Sequence, residues 1–387
     1  MHIEPKVFDV LEYLVSHRQR VVSKHELLDA IWGDRFVNES ALTTRLKAAR
    51  RALGDDGSTQ RIIRTVHGRG YQFVADVVEV AAPDAAAIEP VAPERPSAAP
   101  TADVGSPIRQ RIRYCVAGDG ARIAWASSGA GPPLVKAANW MTHIDMEWDS
   151  PVWRHWLIGL SQRRTLIRYD ERGSGLSDRE VGHFEFDDWV DDLGAVVDAA
   201  GIDRFPLLGI SQGAPTAIAF AAAHPERVER LIVVGGYAQG RMIRAQTPDE
   251  KQEADIDIEL ARVGWRRRDH TFLQVFATQF MPDATPEHRN EFNRLQLETT
   301  STDNAVRFLE VFAHIDVTAL APLVTCPTLV VHARGDMRVP PAQAQMLASS
   351  IPDSRLVVLD SRNHLLTADE PAWPVFLDEV STFLQDG

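Results

Sequence analysis

Hydrophobic spacing divides the chain into three stretches. In the first 75 residues apolar positions recur at helical intervals: Pro5–His17 (PKVFDVLEYLVSH) sets Val7, Val10, Leu11 and Leu14 on one face. A second helix is expected over Ser23–Trp32 (SKHELLDAIW), where Ser23 stands three residues before Glu26 in the capping-box pattern. A third is expected over Asn38–Leu53 (NESALTTRLKAARRAL), ending at Gly54. Arg61–Val74 (RIIRTVHGRGYQFV) then reads as two short strands around the turn His67-Gly68-Arg69-Gly70.

The pattern lapses between Asp76 and Pro107, where six prolines and many alanines occur without one aromatic residue. Such a stretch cannot bury enough apolar surface to offset the entropy of ordering it, so residues 76–108 are expected to be a semi-extended linker.

From residue 109 onward short apolar runs alternate with helical ones. The expected strands are Pro133–Ala138, Arg164–Asp170, Phe205–Ser211, Val228–Gly236, Pro327–Ala333 and Ser354–Asp360, with helices such as Phe186–Ala200 and Gln212–His224 between them. Strand and helix in alternation imply a mostly parallel sheet covered on both faces. Ile112–Val116 and Arg122–Trp125 read as an antiparallel hairpin at its edge.

Composition adds little except through its asymmetry. The chain has 387 residues, 44% hydrophobic and 25% charged, enough for two or three globular domains. No apolar run reaches the roughly 18 residues of a membrane helix, and the start (MHIEPKVFDV) lacks the apolar core of a signal peptide. Cys115 and Cys326 stand in no metal-ligand spacing, so neither a disulfide framework nor a structural zinc is expected, and the cytoplasm is the expected location. No cofactor is expected. The net charge is −13, yet residues 1–75 hold 12 basic and 9 acidic side chains, so the excess of negative charge lies in the remainder. Different partners are expected at the two ends.

On the third helix Leu42, Leu46, Ala49 and Leu53 form the apolar stripe, and Ser40, Thr44, Lys47, Ala48 and Arg51 lie opposite, flanked by Arg45 and Arg50. Hydroxyls and long basic side chains on one face suit a helix laid in the major groove, with flanking arginines on phosphates, although an ordinary solvated face has the same composition. The hairpin Arg64–Phe73 resembles the wing of the OmpR/PhoB-type winged-helix domain, and Arg20–Gly33 and Ser40–Gly57 resemble that family's second and recognition helices in order and spacing. The resemblance implies an α+β winged helix-turn-helix over residues 1–75 that binds duplex DNA through Ser40, Thr44, Arg45, Lys47, Arg50, Arg51, Arg64, His67 and Arg69. A homodimer on tandem half-sites is the family's expectation. The family's fold usually begins with a small sheet before the first helix, and here Met1 stands almost at that helix, so either the true start lies upstream or this domain is trimmed.

In the body, Phe205–Ile210 runs into Gly209-Ile210-Ser211-Gln212-Gly213 and then a helix, which is G-x-S-x-G in its strand-turn-helix context. Asp336 follows one later strand and His364 the next, so nucleophile, acid and base occur in the chain order of the α/β-hydrolase fold. Ile112–Leu384 resembles that superfamily, and Tyr169–Asp178 (YDERGSGLSD) matches its D-x-R-G-x-G-x-S loop, expected to be structural. The resemblance implies catalytic Ser211, Asp336 and His364, with oxyanion donors in the backbones of Trp140 and Gln212; Ala138-Asn139-Trp140 stands where the family often has His-Gly.

An insert at about 238–322 has helical spacing and is expected to be a cap, with Trp265, Phe272, Phe276, Phe280, Phe292, Phe308 and Phe312 divided between its own core and a partly apolar chamber. Three readings follow. The chain is a transcription regulator that binds, and in turn hydrolyses, a small ester or lactone; or a serine esterase with an accessory DNA-binding head; or a receptor without turnover.

Overall fold

The computed structural model describes residues 5–32, 39–53, 55, 60–66, 69–75, 108–267 and 270–385. The chain divides into two compact units, Met1–Ala98 and Ala99–Gly387. Of the stretch expected to link them, 76–108, residues 76–107 lie outside the described residues.

In the first unit α1 (Pro5–Ser16), α2 (Lys24–Trp32) and α3 (Glu39–Ala52) precede an antiparallel hairpin of β1 (Ile63–Val66) and β2 (Gly70–Phe73). The apolar stripes meet as expected: Val7, Val10, Leu11 and Leu14 of α1 pack with Leu42, Leu46 and Ala49 of α3, and Ile63, Tyr71 and Phe73 close the core from the hairpin. Burial of these side chains off water is the main force joining three helices too short to persist alone. Tyr71 also exchanges two backbone hydrogen bonds with Val22, at 2.8 and 2.9 Å. That approach requires Gly70, whose φ is +141° and where a Cβ would lie 1.9 Å from the Val22 carbonyl oxygen.

The capping box forms by half. Ser23 Oγ accepts the Glu26 backbone N–H at 3.1 Å, but the Glu26 carboxylate accepts from Arg20 at 2.9 Å and from the Tyr13 hydroxyl at 3.1 Å. A guanidinium offers charge-assisted bonds stronger than one backbone N–H, and it holds the Glu26 carboxyl down at about 2.

The second unit is an eight-stranded sheet. Its strands are β3 (Gln110–Val116), β4 (Arg122–Gly129), β5 (Pro133–Lys136), β6 (Thr165–Tyr169), β7 (Phe205–Ile210), β8 (Val228–Val234), β9 (Thr328–Ala333) and β10 (Ser354–Leu359). They lie in the order β10-β9-β8-β7-β5-β6-β4-β3, parallel from β10 to β6 and antiparallel at the β4 and β3 edge. Every residue of β7 and β9 is buried, as continuous apolar runs in a covered sheet require, whereas β3 at the edge is mostly exposed.

Between the strands run α4 (Ile144–Glu147), α5 (Arg154–Ser161), α6 (Phe186–Ala199) and α7 (Gly213–Ala223). After β8 come α8 (Arg241–Arg244), α9 (Pro248–Arg267), α10 (His270–Phe280), α11 (Pro286–Thr299) and α12 (Thr302–His314), then α13 (Pro341–Ser350) and α14 (Ala372–Phe383). The helices from α8 to α12 are the inserted cap. Its last two start at hydroxyl caps: Thr285 accepts from His288 N at 3.3 Å and Ser301 from Asn304 N at 3.2 Å. Among the described residues no helix is long and apolar enough to cross a membrane.

Candidate active site and DNA-binding face

Ser211 sits between the end of β7 and the start of α7 with φ +53°, a torsion that few residues other than glycine adopt. The flanking glycines are dictated by contact. A Cβ on Gly209 would lie 2.6 Å from Ala214 Cα, and one on Gly213 would lie 2.4 Å from the Ala138 carbonyl oxygen. The same closeness lays the loop after β5 against the start of α7.

Two loops beyond the carboxyl ends of neighbouring strands bring the partners. Asp336 follows β9 and His364 follows β10; His364 Nδ1 lies 2.6 Å from Asp336 Oδ2, and its Nε2 lies 2.7 Å from Ser211 Oγ. All three residues are buried. Asp336 Oδ1 accepts the backbone N–H groups of Arg338 and Val339 at 2.8 and 2.9 Å. Burial by itself raises the Asp336 carboxyl, but the charge and hydrogen bond of His364, with the Val339 N–H, outweigh it and hold the group below its ordinary value. An ionised Asp336 accepts the Nδ1 proton, which leaves the Nε2 lone pair free to accept from the Ser211 hydroxyl.

His332, on β9, was not singled out by the sequence. Its Nε2 donates to the Val339 carbonyl at 2.9 Å and lies 3.6 Å from Asp336 Oδ2, and burial pushes its ring below the ordinary value.

Trp140 and Gln212 both line a cavity of about 50 Å³ together with Ser211. The Trp140 indole Nε1 donates to Gln296 Oε1 on α11 at 2.9 Å, and its ring packs against Trp265, Phe276, Phe308 and Phe312. The Gln212 side chain donates to Glu171 Oε1 at 2.8 Å, and burial pushes the Glu171 carboxyl up to about 8. Glu171 belongs to the loop expected to be structural. Its neighbours fit that expectation: Asp170 accepts the N–H groups of Ile144 and Leu176, and Arg172 grips Asp192 at 2.6 and 2.8 Å. Glu171 itself reaches the residue after the serine, which no motif signalled.

Of the seven aromatic candidates, Phe280 and Phe312 line the cavity, while Trp265, Phe276, Phe292 and Phe308 are buried in the cap; the Phe272 side chain lies outside the described residues. The remaining wall is unexpectedly cationic. Arg241, Arg244 and Arg338 all face the cavity, with Asp257 as the acidic lining residue. Their signal was present as Arg241-Met242-Ile243-Arg244 at the cap's start and Arg338 two residues after the acid, but isolated arginines without a motif carry no address.

In the first unit Lys47 and Arg51 on α3 are exposed, as are Arg64 and Arg69 on the hairpin, and Arg45 is half-buried. Arg50 departs from its expected place on phosphate. Its guanidinium turns inward, donating to the Ile63 carbonyl at 2.9 and 3.1 Å and to Thr65 Oγ1 at 2.8 Å, because the start of β1 passes within its reach and offers unpaired acceptors. The side chains of Ser40 and Thr44, and the whole of His67, lie outside the described residues.

Residues 145–371 match the family model described as alpha/beta hydrolase fold. The chain belongs to the alpha/beta hydrolase fold family. Residues 1–73 match a second model, transcriptional regulatory protein, C terminal, so a regulator's OmpR/PhoB-type DNA-binding domain stands before the hydrolase-fold domain. The putative carbamate hydrolase RutD of Azorhizobium caulinodans is 26% identical over 258 residues, 67% of this chain and 93% of that protein. The transcriptional regulator HilA of Salmonella typhi is 43% identical over 83 residues, 21% of this chain but 15% of that protein. An esterase of Exiguobacterium antarcticum has the hydrolase-domain fold, with a TM-score of 0.60 at 22% identity over 70% of this chain and 99% of that one.

Proposed function

We propose that the protein is a DNA-binding transcriptional regulator whose hydrolase domain binds and cleaves a small, partly apolar ester or lactone. The reading assigns 1–75 to the winged-helix domain, 76–108 to a linker and 109–387 to the hydrolase domain, with the cap at about 238–322. One observation carries the catalytic half: the continuous hydrogen-bonded chain from Ser211 Oγ through His364 to Asp336, ending at a cavity.

In this mechanism Ser211 Oγ attacks the carbonyl carbon while His364 Nε2 takes its proton. The tetrahedral oxyanion is held by the backbone N–H groups of Trp140 and Gln212, which are fixed before the reaction begins. His364 returns the proton to the leaving oxygen, and a water activated by the same imidazole releases the acyl group. Asp336 holds the ring's tautomer and balances the imidazolium. On the DNA side Lys47 and Arg51 enter the major groove, and Arg64 and Arg69 meet backbone or minor groove. A ligand shifts DNA binding only as far as it favours one state over another, and the cap is the part placed to register it.

A fluorophosphonate probe tests the catalytic half: wild type should be labelled at Ser211 and Ser211→Ala should not, and an unlabelled wild type removes the nucleophile. DNA binding by both proteins, with and without a panel of esters and lactones, tests the regulatory half. A ligand effect in neither protein leaves a serine esterase with an accessory DNA-binding head, the reading that the carbamate hydrolase relative favours.

A further inference from the structure

The cavity above Ser211 gathers three guanidinium groups. Arg241 and Arg338 share one carboxylate, Asp257 of α9, with Arg338 at 2.7 Å from Oδ2 and Arg241 on the same oxygen. Gln279 accepts from Arg338 at 3.0 Å, and the Arg338 guanidinium lies over the rings of Phe276 and Phe280 at 4.9 and 5.0 Å. These two arginines are therefore satisfied by the protein.

Arg244 is not satisfied in the same way. Its guanidinium donates to the Gln239 carbonyl at 3.2 Å, and among the described residues no carboxylate lies within ion-pair distance of it. It is half-buried, and burial pushes it below its ordinary value, with the repulsion of Arg338 adding to the effect. Even with the triad's Asp336 counted beside Asp257, three cations face two anions. A half-buried cation left over beside apolar side chains is costly unless something anionic completes it. Phe280, Phe312, Leu309 and Ile258 supply that apolar wall.

We propose that the site takes an acyl compound bearing a carboxylate, with that carboxylate on Arg244 at the cap side and the scissile carbonyl at Ser211. Resting on the hydrolase reading, this narrows the ligand from any ester or lactone to a half-ester of a dicarboxylic acid or a carboxylated lactone. Arg241 and Arg338 are both held by Asp257, which leaves the ligand's carboxylate to Arg244. A fork of two N–H donors matches a carboxylate, and the apolar wall between the two ends matches a short carbon chain.

The test separates binding from turnover. Binding of three p-nitrophenyl esters to Ser211→Ala is read by quenching of tryptophan fluorescence: the glutarate half-ester, the neutral valerate ester, and the cationic ester of 5-aminovalerate. The half-ester should bind about 10- to 100-fold more tightly than the valerate, as one charge-assisted contact in a desolvated site provides, and the cationic ester more weakly than either. Arg244→Gln should bring the ratio of half-ester to valerate close to one. Equal binding of half-ester and valerate to Ser211→Ala overturns the carboxylate subsite whatever the turnover. A preference that survives Arg244→Gln overturns the assignment to that residue. Turnover of the same esters by wild type is measured in parallel. Absent turnover with the preference intact counts against the hydrolase reading and leaves the subsite standing.

Discussion

The backbone N–H of His364 donates to the carbonyl of Phe280 at 2.8 Å. Phe280 is the last residue of α10, so the loop that carries the base is fastened to the end of a cap helix. Asn363 repeats the fastening by accepting the Asp283 N–H at 3.0 Å while its amide donates to Glu370 at 3.2 Å. Removing that side chain leaves a backbone donor without its partner and frees the loop. Asn363→Ala should lower stability by about 1–3 kcal/mol and slow fluorophosphonate labelling of Ser211 by about tenfold, since a small misplacement of the base is enough to do so. Stability lost with an unchanged labelling rate would mean the loop keeps its place without Asn363.

Asp336 has a role that its burial alone does not reveal. Asp336→Asn keeps shape and loses charge, so His364 loses the partner that fixes its tautomer. Ester turnover at pH 7 should fall on the order of 10⁴-fold, with the melting temperature little changed. A loss below tenfold would place the acid elsewhere.

Glu171 gives a pH dependence of defined sign. Its carboxyl is pushed up to about 8 from an ordinary 4.5, so between those values the folded state holds more protons than the unfolded one. Stability from this group is therefore greatest at the acid end and declines as pH rises through the window. Lys136, which burial pushes down to about 8, acts above it. Glu171→Gln retains an acceptor for Gln212 and removes the titration. Chemical denaturation at pH 5 and pH 7.5 should show the variant gaining on wild type as pH rises; a constant difference would mean Glu171 does not titrate there.

Arg50 and Arg51 are neighbours with opposite duties. Arg51→Ala should weaken DNA binding by about tenfold and lessen its salt dependence by about one counterion, with no change in folding. Arg50→Ala should instead lower the melting temperature of the winged-helix domain, because Ile63 and Thr65 lose their donor. Identical behaviour in the two variants would contradict the inward turn of Arg50.

These residues also mark how far the sequence is legible. The alternation of strand and helix and the helix faces follow from periodicity, and Ser211, Asp336 and His364 follow from one motif and from the chain order of an acid and a histidine after two later strands. Arg244 and Glu171 were out of reach because each depends on what a distant segment brings beside it. The inward turn of Arg50 lies beyond the sequence for the same reason: helical spacing gives the direction of a side chain but not the strand that will intercept it. Glu26 shows competition between signals, since the local capping pattern was right for Ser23 and lost the carboxylate to Arg20.

The torsion of Ser211 has a consequence for engineering. A serine at φ +53° sits at a conformation worth on the order of 1–3 kcal/mol less than a relaxed one, and glycine would occupy it without penalty. A chain optimised for durability alone would discard the hydroxyl at this corner. Selections for heat tolerance that ignore activity should therefore drift toward a sturdier, silent version of this domain, beginning at residue 211.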